Sequence, residues 1–212
     1  MMAALTSIRK PFRYTYFNAT LYIIAANIFF FALSYAFPTV RVYMALSPVA
    51  MLSGYLWQPI TYMFAHADIS HLLVNMLGLF FFGTQVERSM GSKEYLLFYF
   101  FTGILAGLVS FVIYVATGAW YTMLIGASGA VFALLLAFAI VNPEAMIYLY
   151  GILPIRAPVM VLGYAGIEVA SQLLSFRSSV AHLTHLAGFA WAWLYFLGRF
   201  GINPAKRLFR RP

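Results

Sequence analysis

Apolar runs over about 17–37, 69–85, 95–116, 128–142, 156–175 and 182–200 dominate the chain and leave little choice of fold. A helix rises ~1.5 Å per residue, so about 20 apolar residues cross the hydrocarbon core of a bilayer. Each run reaches that length or comes near it. Charged residues make up only 8% of the 212 residues and hydrophobic ones 64%, against ~25% charged in an ordinary soluble domain. In water such a chain would expose far too much apolar surface. The expected fold is all-α and polytopic: six transmembrane helices in one membrane domain, residues 17–200, flanked by basic tails at 1–16 and 201–212.

Between the first two runs lies "PTVRVYMALSPVAMLSGYLWQPITYMFAHA", apolar but divided by Pro38, Pro48 and Pro59 into pieces too short to cross. Irregular backbone at membrane depth has to be covered by protein, so this reads as a long interfacial loop in the outer leaflet. With six spans, both termini share a side with Arg9, Lys10, Arg13, Arg88, Lys93, Arg156, Arg199, Lys206, Arg207, Arg210 and Arg211, and only Arg41 and Arg177 lie opposite. That asymmetry places both termini in the cytoplasm, in an integral plasma (inner) membrane protein. The N-terminus has no apolar core ahead of a small-residue cleavage site, so no cleaved signal peptide is expected. The net charge of +8 flanks apolar segments and forms no stripe interleaved with aromatics, which argues for topology and against nucleic-acid binding. Without cysteine there is neither disulfide framework nor thiolate chemistry.

In this topology the second, fourth and sixth runs all begin at the outer face. Their heads carry His71 and Asn75, four apart on one helix face; then Ser128; then His182 and His185. A serine at the depth of a histidine is the minimal pair of nucleophile and base. The fourth run, at about 22 Å by helical rise, is shorter than a ~30 Å core, so Ser128 sits below the outer lipid surface and needs a hydrated pocket above it. Gly126 permits a tight turn into the helix and Gly129 removes bulk beside the nucleophile. The first-turn amides lack intrahelical partners and suit a developing oxyanion. Gly188 and Ala192 form a small-xxx-small face. If it meets Ser128, Ala133 and Ala137, His185 comes within reach of the serine.

At these residues the chain resembles the rhomboid family of intramembrane serine proteases, over the whole six-helix core. "GASG" at 126–129 is similar to its Gly-x-Ser-Gly, "HADISHLLVN" to its second-helix signature, and "AHLTHLAG" to its sixth-helix His-x2-Gly. "GTQVERSMGS" resembles the acidic turn after helix two, and Trp57-Gln58 stands where the first loop often has Trp-Arg. The resemblance implies a Ser128–His185 dyad with no third acid, and an oxyanion held by the Ser128 amide, His71 and Asn75. It also implies single-span transmembrane protein substrates cut near the outer face, with no metal and no cofactor. Two positions depart from the family: Gln58 for the loop arginine, and Ala192 for a glycine in helix six.

Each residue also has a plainer reading. Ser128 could merely cap its helix, and His182 could be a wet interfacial residue. His66 reads as a loop or helix-two capping residue, and His71 with Asn75 as a packing pair. Phe132, one turn below Ser128, reads as core whose ring could also underlie the His185 imidazole. Glu168, an acid inside the fifth run, is a functional candidate by its depth: a third triad member, or a neutral group bonded to a neighbouring helix. Of these the structural reading is preferred, and Glu87 reads as a tie for the cytoplasmic turn. The competing functions are a transporter, which the clustering of polar residues at one end disfavours, and a non-catalytic rhomboid-like membrane protein.

Overall fold

The computed structural model describes residues 10–149, 152–174 and 179–209. Arg9, Arg177, Arg210 and Arg211, used above for orientation, lie outside the described residues. The chain is mostly helical. Helix α1 spans Ala19–Ala36, followed by short helices α2 (Pro38–Met44), α3 (Pro48–Leu52) and α4 (Gln58–Thr61). Then come α5 (Ile69–Met90), α6 (Ser92–Ala116), α7 (Ser128–Val141), α8 (Ala157–Leu174), α9 (Ser179–Tyr195) and α10 (Pro204–Leu208). Three of these, α1, α5 and α6, are long and apolar enough to cross a membrane by length and composition, and α7 and α8 are shorter apolar helices. Many large apolar side chains, such as Tyr22, Phe29, Val74, Val112 and Leu173, face outward. This fits a membrane protein, in which lipid covers that surface.

One element departs from the all-α expectation. Met146–Leu149 and Leu153–Arg156 pair as an antiparallel hairpin, Met146 opposite Arg156 and Leu149 opposite Leu153. Pro154 is tolerated because a two-stranded ribbon consists of edge strands alone. The exposed Glu144–Arg156 pair at 3.6 Å stands beside the hairpin.

The proline-rich loop is helical rather than irregular. Each proline occupies the first turn of a short helix, where its missing N–H costs no hydrogen bond. The buried Gln58 anchors these pieces: its Oε1 accepts from the Ser47 amide at 3.1 Å, and its Nε2 donates to the Tyr43 carbonyl at 3.4 Å. The Trp57 indole donates to that same carbonyl at 3.0 Å. Gln58 therefore performs an anchoring role despite being no arginine.

Glu87 does more than tie down a turn. Fully buried, it accepts from the Ala19 amide at 2.6 Å and from the Thr20 amide and hydroxyl at 2.9 and 2.7 Å, and it also binds the Ser92 hydroxyl. Asn18 offers α1 no side-chain cap, so a carboxylate from α5 takes the orphan amides at the positive end of the helix. Glu94 similarly joins α6 to α9 and its extension through Tyr195 and Arg199.

Helix α7 is the axis of the bundle. Gly129, Ala130 and every residue from Ala133 to Ile140 are buried, as expected of a helix apolar on all sides. Helix α9 packs against α7 and α6, and α8 packs against α9 and α7. Small residues at these crossings bring the backbones close. A Cβ on Gly188 would lie 2.1 Å from the Gly129 carbonyl oxygen and 3.5 Å from the Ala133 nitrogen.

Candidate active site

Ser128 is the first residue of α7, and its side chain caps nothing. Its Oγ instead lies 2.8 Å from Nε2 of His185 on α9. Ser128 is half-buried. The close Gly188–Gly129 crossing makes this contact possible, because His185 stands one turn from Gly188 on the same helix. Phe132 lies under the imidazole as a stacked ring, 4.1 Å between centroids and 5° between planes. The stack fixes the tilt of the histidine, and the serine contact fixes its reach.

The turn before α7 is set by Gly126, whose φ of 115° is a left-handed conformation that side chains resist. A Cβ there would also meet Nε2 of His71 at 2.7 Å. The Gly126 amide donates to the Tyr62 carbonyl at 2.9 Å, which ties the turn to the loop helices. Gly129 serves differently from expectation. The space it leaves is taken by Ala106 of α6 and Thr184 of α9, 3.1 and 3.3 Å from its would-be Cβ, so it governs helix approach rather than room beside the hydroxyl. Thr184 and Ser110 share a buried hydroxyl contact at 2.6 Å that locks the same crossing.

His71 and Asn75 stand on α5 facing this turn. Nδ1 of His71 accepts from the Ala67 amide at 3.4 Å. A neutral ring then carries its proton on Nε2, the atom beside Gly126. Asn75 is buried, donates one amide hydrogen to the His71 carbonyl at 2.8 Å, and keeps its Oδ1 unpartnered among the described residues. The cap of α5 falls to Asp68 and not to His66: Asp68 accepts from the His71 amide at 2.8 Å and from the Ser70 hydroxyl. These two bonds hold its exposed carboxyl below the usual carboxylate range. The signal was legible, since aspartate just before an apolar helix is a favoured N-cap.

His66 is buried edge-on to His71, 5.1 Å between ring centroids, and neither ring nitrogen has a partner among the described residues. Burial, aided by His71, pushes it down from 6.5 to about 4. The folded protein therefore refuses a proton that the unfolded chain takes up below 6.5. Stability is expected to fall as pH drops from about 6.5 to about 4, by up to ~3 kcal/mol. Below that window the folded form binds the proton too and the loss levels off. Thermal inactivation followed from pH 7 to 4 checks this: His66→Phe should flatten the decline, and an unchanged slope would refute it.

Glu168 is the residue that the sequence left least resolved. Most of the described part of α8 after Val161 is exposed, yet Glu168 is buried. Its Oε1 lies 3.0 Å from Nδ1 of His185 and its Oε2 lies 2.6 Å from Nδ1 of His182. His182 is therefore bound to an acid and is no loose interfacial ring. The three residues offer ligand atoms within 4.8 Å of one another, but these atoms already pair at hydrogen-bond distances. A separate cavity of about 830 Å³ lies between α1 and the start of α5, bordered by Phe31, Tyr35, Arg41, His66 and Asp68; neither Ser128 nor His185 lines it.

Residues 53–201 match the model of the Rhomboid domain. "RHOMBOID-like protein 12, mitochondrial" of Arabidopsis thaliana is 34% identical over 152 residues, covering 65% of this chain and 45% of that protein. "Presenilin-associated rhomboid-like protein A, mitochondrial" of Danio rerio is 30% identical over 127 residues, 59% of this chain and 33% of the relative. "Rhomboid protease GluP" of Bacillus subtilis is 40% identical over 82 residues, 39% of this chain and 15% of the relative. The chain thus matches less than half the length of these curated relatives.

Proposed function

The chain belongs to the rhomboid family, and from that premise we propose that it is an intramembrane serine endopeptidase using Ser128 as nucleophile and His185 as base. The observation carrying this reading is the 2.8 Å contact between the Ser128 Oγ and the His185 Nε2, between groups borne by two different helices. In the proposed reaction Oγ attacks the scissile carbonyl carbon while its proton passes to Nε2. The C–O bond forms, and the carbonyl oxygen takes up the negative charge. Collapse breaks the C–N bond, and the imidazolium returns the proton to the leaving amine. A water molecule then repeats the sequence on the acyl-enzyme, giving its proton to Nε2 and restoring the serine.

The oxyanion has donors at hand. The Ser128 amide opens α7 and has no intrahelical acceptor, and the Nε2–H of His71 sits against Gly126. Asn75 has a second amide hydrogen beyond the one bound to the His71 carbonyl. Such preorganised donors are each worth ~3 kcal/mol of barrier in other acyl-transfer enzymes. Substrates are single-span membrane proteins, cut where the helix unwinds near the outer face. The bundle has six spans, with both termini on the cytoplasmic side of the plasma membrane and the site opening outward. The charge asymmetry of the sequence supports that orientation.

A fluorophosphonate probe tests the nucleophile. The purified full chain should be labelled on Ser128, located by peptide mass spectrometry, and Ser128→Ala should take up none. Labelling on another hydroxyl, or equal labelling of the variant, would refute the assignment.

A further inference from the structure

The family resemblance implies a dyad, but the side chains present here form a longer relay. We propose that Glu168 is the positioning residue of the base, so that this chain works with a Ser128–His185–Glu168 triad in which His182 braces the acid. This inference rests on the protease reading above and deepens it. Three contacts run in series from α7 through α9 to α8: Oγ to Nε2 at 2.8 Å, Nδ1 to Oε1 at 3.0 Å, and Oε2 to Nδ1 of His182 at 2.6 Å.

The order of atoms matters. An ionised carboxylate only accepts, so Glu168 takes an N–H from His185 Nδ1. That fixes the tautomer and leaves the Nε2 lone pair facing the serine hydroxyl, as general-base work requires. When the proton arrives on Nε2, the imidazolium lies between the forming C–O bond and a buried anion. Glu168 stays ionised throughout and no further proton moves. The second oxygen is held by His182, so the carboxylate cannot rotate away without breaking a bond to the same helix. Burial of Glu168 on an otherwise outward-facing part of α8 is explained by this task, since an unpaired acid at that depth would be costly.

The experiment measures kcat and KM on a single-span substrate, the fluorophosphonate labelling rate, and Tm. It compares wild type, Glu168→Gln, Glu168→Ala, His182→Ala and Ser128→Ala. Glu168→Ala should lower kcat and labelling rate together by about 10⁴-fold, as loss of the acid does in other triads, with KM within about twofold. Glu168→Gln should fall between, because its amide oxygen still accepts the Nδ1–H but carries no charge. His182→Ala should lose less than either. Because Gln is isosteric, its kcat decides if the alanine variant fails to fold. A kcat within about fivefold of wild type for both Glu168 variants overturns the triad. So does a loss that follows KM or Tm instead of the labelling rate. Inactivation of wild type by a chelator, reversed by zinc, would equally overturn it by making the three side chains metal ligands. Cleavage by Ser128→Ala would sink the protease reading itself, whereas a dead Ser128→Ala beside fully active Glu168 variants removes only the third member.

Discussion

Replacing His185 by alanine is expected to reduce cleavage of a single-span substrate at least ~10⁴-fold while leaving substrate affinity near wild type. The imidazole is the acceptor placed on the Ser128 hydroxyl, at 2.8 Å, and a serine hydroxyl without a base is a poor nucleophile at neutral pH. In other serine enzymes, loss of the histidine removes about as much rate as loss of the whole catalytic group. The effect should be on chemistry, because the ring sits between Phe132, Glu168 and Ser128 and is only 18% exposed in its side chain. Single-turnover cleavage in proteoliposomes, with binding measured separately, distinguishes the cases. Residual turnover by the purified variant clearly above that of Ser128→Ala would mean that another group serves as base.

The second large effect is expected at a helix crossing that carries no catalytic side chain. Gly188→Ala should cost both stability and activity, because the new methyl would stand 2.1 Å from the Gly129 carbonyl oxygen and 3.1 Å from its carbon. Both neighbours are backbone, so no side chain can swing aside. The helices must separate by about 1.5 Å to restore ordinary contact. Overpacking of this kind costs ~1–3 kcal/mol. His185 lies three residues from Gly188 and moves with it, and a 1 Å misplacement of a catalytic group can cost about 100-fold. Gly163→Ala, on α8 with nothing among the described residues within 4 Å of its would-be Cβ, is the matched control. It should be neutral or slightly stabilising, since alanine is the better helix former. Equal Tm and equal turnover for the two variants would refute the close-packing account.

These expectations drew on the sequence to different degrees. Ser128, His71, Asn75 and His185 could be singled out because polar side chains are rare in apolar runs and therefore conspicuous. The helix crossing at Gly188 was also legible, since small residues four apart announce close approach. The hairpin is not legible in the sequence because four-residue strands carry little periodicity and a proline within one is a poor strand signal. The loop helices are hidden for a related reason: a proline in an apolar run signals a break, although at the first turn it starts a helix. Glu87 looked like a local tie because its partners Ala19 and Thr20 lie 68 and 67 residues away.

Glu168 marks the boundary between what the residues dictated and what packing decided. Composition alone determined that this chain lives among lipids, because no soluble fold can hide so much apolar surface. Spacing alone brought the serine and the histidines to the same ends of their helices. How α8 is rotated about its own axis was left open by both, since its apolar residues offer no strong preference for one face. Only the packed bundle turned the acid inward onto His182 and His185, because hydrogen bonding in a medium of low dielectric depends on ångström-scale contacts between helices, which no pattern within one segment contains.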